Sequence, residues 1–182
     1  ISHQLIVYRL SREDLDGAGL VTLDDQLESG IQNLFLPSDP EDGSDLADAL
    51  RRIGTVLRSV NGKSLRLSAR WLFDSHCGRD ELLSYVQATV AIEILLGDED
   101  ADPDVGLTTL MANRCAYLVA NTAKARAHIL KAFRDIYKVR SKIVHRGKNR
   151  LSSEEVMLFN YLTGLVRSVI DKEQRLLERG ER

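Results

Sequence analysis

Apolar residues recur at helical spacing over most of this chain, and this periodicity restricts its fold more than any other feature. Between Ile129 and Ile143, for example, apolar residues follow one another at intervals of three and four. Such intervals place side chains on one face of an α-helix. Only three prolines and 12 glycines interrupt the 182 residues, so few positions break long helices. The pattern predicts an all-α helical bundle.

Six helices are predicted between the breaks in this pattern. They are expected over residues 46–60, 64–77, 80–96, 107–120, 122–145 and 152 to about 178. Gly147 follows the fifth helix and is expected to form its C-terminal cap. Ser152 and Glu155 have the spacing of a capping box, in which each residue bonds the backbone N–H of the other, and this pattern opens the sixth helix.

The first 44 residues have a different character. The segment Leu36–Asp45 concentrates Pro, Gly, Ser and Asp, as linkers do. Before it, His3–Ser11 has the composition of a strand, whereas helical spacing relates Leu23, Leu27, Ile31 and Leu34. We therefore expect an N-terminal segment and linker over residues 1–44, whose structure the pattern leaves open, and a helical domain over residues 45–182.

Composition also bears on the compartment and on cofactors. The two cysteines, Cys77 and Cys115, are too few for a disulfide framework, which favours a reducing, cytoplasmic location. No apolar run approaches the roughly 20 residues that span a bilayer. Because neither metal-ligand spacing nor a glycine-rich phosphate loop occurs, we expect no metal and no cofactor. The chain begins at Ile1 rather than Met, which suggests further domains of a longer protein.

Charge is distributed very unevenly along the chain. Residues 124–150 contain ten Lys/Arg and a single acid, Asp135, so this segment carries +9. The whole chain carries −2, and the remainder therefore carries −11, concentrated in the segment Asp98–Asp104. This asymmetry predicts a surface that binds polyanions. An alternative is a purely structural helical bundle whose basic strip is balanced by the acidic segment.

Three predicted helices carry a charged residue where their apolar pattern calls for Leu or Ile. These residues are Glu93, Arg114 and Arg140. A buried charge without a partner is strongly destabilising, so each should have a counterion or face water in a cleft. We predict a structural ion pair between Glu93 and Arg114. This pairing leaves Arg140 without an obvious acidic partner.

Arg140 and His145 form an Arg-x4-His pattern near the end of the fifth helix. On an ideal helix they lie about 140° apart, so one copy does not bring them together. Two copies facing each other across a dimer axis would converge on one cleft. There, histidine can exchange protons with the ribose 2′-hydroxyl and the leaving 5′-oxygen, and arginine can stabilise the charged phosphate. Alternatively, the histidine stabilises the helix dipole and the arginine extends toward solvent.

Three segments occur in a fixed order: "ELLSYVQATVAIEILLGDE", "TTLMANRCAYLVA" and "RDIYKVRSKIVHRG". Together they resemble the HEPN domain family, particularly its Apea-like branch, over about Leu65 to Arg179. The resemblance implies a helical bundle that dimerises. It also implies, for many members, a metal-independent endoribonuclease with an Arg-x4–6-His motif at the dimer cleft, which Arg140 and His145 match. Glu93 and Arg114 look like the family's internal charged pair.

The chain departs from the family pattern at one position, and basic residues flank the motif. Active members often have Asn, Asp or His directly after the arginine, whereas this chain has Ser141, which we expect to act as a supporting polar group. Flanking basic residues are expected to contact RNA phosphates, namely Lys138, Lys142, Arg146, Lys148 and Arg150. The sequence therefore predicts a homodimeric endoribonuclease acting on single-stranded or loop RNA. The alternative is a catalytically silent RNA-binding or dimerisation module of a larger defence or stress protein.

Overall fold

The computed structural model describes residues 3–10, 15–23, 44–97 and 106–181. The chain divides into two compact units, Ile1–Ala47 and Asp48–Arg182. Most of the predicted linker and the whole acidic segment 98–104 lie outside the described residues.

Residues 3–10 and 15–23 of the first unit form a two-stranded antiparallel sheet. Strand β1 covers His3–Leu10 and strand β2 covers Leu15–Leu23. His3 lies opposite Leu23, and Leu10 lies opposite Leu15, with an irregularity in the register after Val7. The strand interpretation is thus confirmed for residues 3–10, and Ser11 lies outside the described residues. Leu23, which began the helical pattern, lies in β2. The rest of that helical pattern lies outside the described residues.

From residue 44 onward, the described residues form six helices. In chain order they are α1 Ser44–Arg58, α2 Lys63–Cys77, α3 Glu81–Leu96, α4 Leu107–Val119, α5 Ala123–Arg146 and α6 Ser153–Glu178. A single 3₁₀ turn, Val60–Gly62, connects α1 to α2. Every helix corresponds to a predicted one, with ends that differ by no more than two residues. The second unit is therefore an all-α bundle, as the periodicity predicts.

Helix α3 lies at the centre of the bundle. It packs against α2, α4, α5 and α6, and it is apolar on nearly every side, as a helix surrounded by others must be. Tyr85, Ala88 and Ile92 of α3 are fully buried. The Tyr85 hydroxyl donates a hydrogen bond of 3.3 Å to the backbone oxygen of Ile136 on α5. These contacts hold α5 by its apolar face and leave its other face in solvent.

Both predicted caps around the connection between α5 and α6 are present. Ser152 Oγ accepts from the Glu155 N–H, and the Ser152 N–H donates to Glu155 Oε2. The same carboxylate lies 2.8 Å from Lys148 Nζ. Partial burial raises the pKa of Glu155, but the hydrogen bonds from Lys148 and Ser152 outweigh it and leave that pKa below its ordinary value. The connection is therefore fixed to the first turn of α6.

Gly147 ends α5 in the left-handed conformation, with a φ of 61°. Its N–H donates to the backbone oxygen of Lys142, which satisfies one of the carbonyls left open at the helix end. Glycine adopts this conformation without a Cβ penalty, so the predicted C-terminal cap is confirmed and has a clear physical reason.

Substituting this glycine is expected to destabilise the protein. Gly147→Ala forces a Cβ into the left-handed region and should lower the free energy of unfolding by about 1–2 kcal/mol. Gly164→Ala is the matched control, because Gly164 lies inside α6 with nothing within 4 Å of an added Cβ. That substitution should raise stability by about 0.5–1 kcal/mol. Urea denaturation measures both; equal effects of the two substitutions would contradict the cap.

Candidate nucleic-acid interface

One exposed face of α5 carries a continuous row of cationic and imidazole side chains, which we call the basic stripe. On an ideal helix its members lie within about 80° of one another and extend over about 30 Å. All six side chains are exposed. They belong to Lys124, Lys131, Arg134, Lys138, Lys142 and His145.

The opposite face of α5 is the face that packs into the core. Its buried residues are Ile129, Ala132, Phe133, Ile136 and Val139. The apolar residues and the basic stripe lie about half a turn apart around the helix. Burial of the apolar residues in the core therefore orients the basic stripe toward solvent. The bundle thus presents the stripe as a solvent-facing surface with a fixed spacing of positive charges.

His145 lies at the C-terminal end of the basic stripe, in the last turn of α5. Its side chain is exposed, and among the described residues it makes no hydrogen bond or ion pair. Ser141, one turn earlier, is also exposed and occupies the i−4 position next to His145. The structure therefore brings the predicted Ser141 and His145 to one accessible edge.

Arg140 lies on a different side of α5 and faces α3. Its Nε is 3.6 Å from Glu93 Oε1, with side-chain exposures of 31% for Arg140 and 27% for Glu93. The expectation that Arg140 lacks an acidic partner is therefore wrong. The Nε atom is itself buried and has no hydrogen-bond partner within the described residues, because 3.6 Å exceeds hydrogen-bond length. Arg140 and His145 consequently diverge within one copy.

Tyr137 completes the polar cluster around Glu93. Its hydroxyl donates to Glu93 Oε1 at 3.1 Å and lies 3.8 Å from Met111 Sδ. Burial raises the pKa of Tyr137 well above its ordinary value, and the negative charge and hydrogen bond of Glu93 raise it further. The phenol therefore stays protonated and acts as a donor to the carboxylate.

Arg114 reaches the same end of α3 from α4. Its Nη1 donates to the backbone oxygen of Leu96, the last residue of α3, at 3.1 Å. A cation at a helix C-terminus is favourable because the helix dipole is negative there. The described contacts of Glu93 are with Arg140 and Tyr137, and the Glu93–Arg114 pair stays a prediction.

Most of the side chains predicted to contact phosphates are exposed, and one of them is engaged in an ion pair. Lys142, Arg146 and Arg150 are exposed. Lys138 is exposed too, although its Nζ lies 3.1 Å from Asp135 Oδ1 on the same helix, a weak surface pair. Lys148 is the exception, because its side chain is only 22% exposed and its ammonium is engaged by Glu155.

Three members of the basic stripe are not among the phosphate contacts predicted from the sequence, all of which lie close to His145. They are Lys124, Lys131 and Arg134. Their signal is present in the sequence, since the stripe residues follow one another at intervals of seven, three, four, four and three. Such intervals mark one helix face once the helix bounds are known.

The described residues contain neither a metal site nor a membrane-spanning helix. No group of three or more His, Cys, Asp or Glu side chains in that part of the chain is arranged to hold a metal ion. None of the described helices combines the length and the apolar composition needed to cross a bilayer.

Comparisons with protein-family models, with curated proteins and with solved structures found no match. The membership of this chain in the HEPN family therefore stays a prediction from its sequence.

Proposed function

We propose that this protein is a metal-independent endoribonuclease of HEPN type that binds single-stranded or loop RNA along the basic stripe and cleaves it as a homodimer. The observation that carries the proposal is the position of His145, exposed at the end of a row of cations. Lys and Arg side chains in such a row contact successive phosphates without reading the bases. A strand lying on the stripe then reaches the imidazole at its end.

The chemistry assigned to His145 is acid–base catalysis. One imidazole accepts the proton of a ribose 2′-hydroxyl, and the 2′-oxygen forms a bond to phosphorus while the bond from phosphorus to the 5′-oxygen breaks. The His145 of a second copy donates a proton to the leaving 5′-oxygen. The products are a 2′,3′-cyclic phosphate and a 5′-hydroxyl, so atoms and protons balance without an oxidant or a co-reactant.

Arg140 is assigned the stabilisation of the five-coordinate phosphate, and the second copy is needed for this reason. Within one copy Arg140 and His145 diverge, whereas two-fold symmetry can place the arginine of one subunit beside the histidine of the other. Arg140 would then exchange its contact with Glu93 for the phosphate. Its unbonded Nε favours the exchange, because the guanidinium gains hydrogen bonds that it lacks at 3.6 Å from Glu93.

Labelled RNA tests this function directly. We expect cleavage of a single-stranded RNA in the presence of EDTA, with cyclic-phosphate ends on the products. DNA of the same base sequence is the control, and it should stay intact because it lacks the 2′-hydroxyl. Intact RNA under these conditions, or equal cleavage of the DNA, would remove the nuclease proposal.

A second candidate function is RNA binding without cleavage. It is favoured by the contact between Glu93 and Arg140, which holds the arginine away from His145 in the single copy. This candidate predicts salt-dependent RNA binding that is unaccompanied by product formation.

Both candidate functions predict that RNA binding depends on the basic stripe. The double variant Lys131→Glu/Lys138→Glu should bind RNA more weakly, and its log K should depend on log salt with a slope reduced by at least about 1.4, because two phosphate contacts are lost and two negative charges are added. Lys63→Glu is the control, since Lys63 is exposed in the first turn of α2 and lies outside the stripe. Fluorescence anisotropy at several salt concentrations measures the slopes. An unchanged slope in the double variant would show that RNA does not follow the stripe.

A further inference from the structure

A cleft of about 460 Å³ opens where the segment after α5 meets the start of α3. Its volume is within the range of about 300–1,000 Å³ that is typical of small-molecule sites. It is lined by Arg79, Asp80, Glu81, Leu82, Asn149 and Arg150.

The polar groups of this cleft are largely unengaged. Asp80 is the exception, because its carboxylate accepts from the N–H groups of Leu82 and Leu83 and caps α3. The other four polar side chains are exposed, and they form no hydrogen bond or ion pair with the described residues. They belong to Arg79, Glu81, Asn149 and Arg150. The cleft therefore holds two guanidinium groups, one amide and one carboxylate that are available to a ligand.

The cleft is close to His145 along the chain. Asn149 follows His145 by four residues, and consecutive Cα atoms are about 3.8 Å apart, so the two Cα atoms are within about 15 Å of each other. Lys148, between them, is anchored to Glu155, which fixes the path of this segment. A nucleotide near the scissile phosphate can therefore reach the cleft while the backbone contacts the stripe.

We propose that this cleft is a guanine subsite, which selects RNA with a guanosine next to the phosphate at His145. This inference rests on the proposed function, since it concerns the same RNA. Guanine presents two adjacent donors, N1–H and the N2 amino group, to the carboxylate of Glu81. It presents two acceptors, O6 and N7, to a guanidinium from Arg150 or Arg79, a pairing that arginine makes commonly.

The other bases fit this set of groups less well. Adenine has no O6 acceptor, and its Watson–Crick edge offers a carboxylate only one amino group. Cytosine and uracil lack N7, so a guanidinium cannot bind them in the same bidentate way. The N1–H and N2 amino donors belong to the Watson–Crick edge of guanine, which is free for a carboxylate only in unpaired RNA, and this agrees with a single-stranded or loop substrate.

The test uses oligonucleotides that bind but cannot be cleaved. Three 2′-O-methyl oligouridylates carry a single guanosine, inosine or adenosine in the middle, and anisotropy gives their Kd values for the full chain. We expect the guanosine oligonucleotide to bind about tenfold more tightly than the inosine one, which lacks only the N2 amino group. Glu81→Gln should remove this difference, because glutamine presents one acceptor oxygen and one donor amino group, whereas N1–H and the N2 amino group need two acceptor oxygens side by side. Arg150→Ala should reduce the preference for guanosine over adenosine.

Glu154→Gln is the matched control, because Glu154 is an exposed glutamate in the first turn of α6 and lies outside the cleft. It should keep the wild-type preference. Equal Kd values for guanosine and inosine in the wild type, or a preference that survives Glu81→Gln, would overturn the guanine subsite while leaving RNA binding intact. If none of the three oligonucleotides binds even at low salt, the proposed RNA function and the subsite both fail.

Discussion

Replacing His145 with alanine is expected to reduce RNA cleavage by a factor of about 10² to 10⁴ while leaving RNA affinity almost unchanged. A positioned general acid or base contributes a rate factor of this size. Binding should persist because the cations of the basic stripe supply the affinity, and His145 is only its terminal member. Single-turnover cleavage of labelled RNA in EDTA measures the first quantity, and anisotropy measures the second.

His76→Ala is the control for this experiment. His76 is also an exposed histidine, but it lies on α2, where Arg167 Nη2 is 3.2 Å from its Nε2. Partial burial and the charge of Arg167 lower the pKa of His76, so its imidazole is neutral near pH 7. This variant should cleave RNA at the wild-type rate. Cleavage that survives His145→Ala would exclude His145 from the mechanism, and cleavage that is lost in His76→Ala would assign the chemistry to the other histidine.

Replacing Phe133 with alanine should lower the free energy of unfolding by about 3–5 kcal/mol, because it removes a large buried ring and leaves a cavity. Phe133 is fully buried on the core side of α5, and its ring stacks on Tyr137 with 5.9 Å between centroids. The loss should be visible as a lower urea midpoint with a similar slope.

Phe73→Ala serves as the matched control for Phe133. The side chain of Phe73, on α2, is 47% exposed, so its truncation leaves little or no cavity. It should therefore lower the free energy of unfolding much less than Phe133→Ala does. If both variants lost the same stability, α5 would not be held in the bundle through its apolar face. The solvent exposure of the basic stripe would then lack its structural cause.

Much of the helical fold could be predicted from local signals. Thr122 and Gly147 cap the two ends of α5, and Ser152 caps the start of α6; these roles depend on residues only a few positions away. Because such contacts are local, periodicity and capping patterns contain most of the information needed. Strand β1 is harder to predict from the sequence than the helices, because it needs hydrogen bonds from β2. The spacing of residues within β1 does not identify that partner strand.

The ion pair between Glu93 and Arg140 could not be predicted from local sequence signals. The sequence identified Glu93 and Arg140 as charges among apolar residues, which was informative, but it did not identify them as partners. That pairing depends on which faces of α3 and α5 meet, and on a separation of 47 positions along the chain. Helix periodicity indicates that one face of a helix is apolar, but it does not indicate which neighbouring helix covers that face.

By itself, the sequence determined the helices, their caps and the positions of the charges along each helix, because these follow from spacing and from residues within one or two turns. Only the tertiary structure decided that Arg140 turns toward Glu93 while His145 remains in water, and that Arg79 and Arg150 line one cleft. The physical reason is that burial of the apolar face of α5 against α3 sets its rotation, and this rotation assigns every side chain of α5 to protein or to solvent.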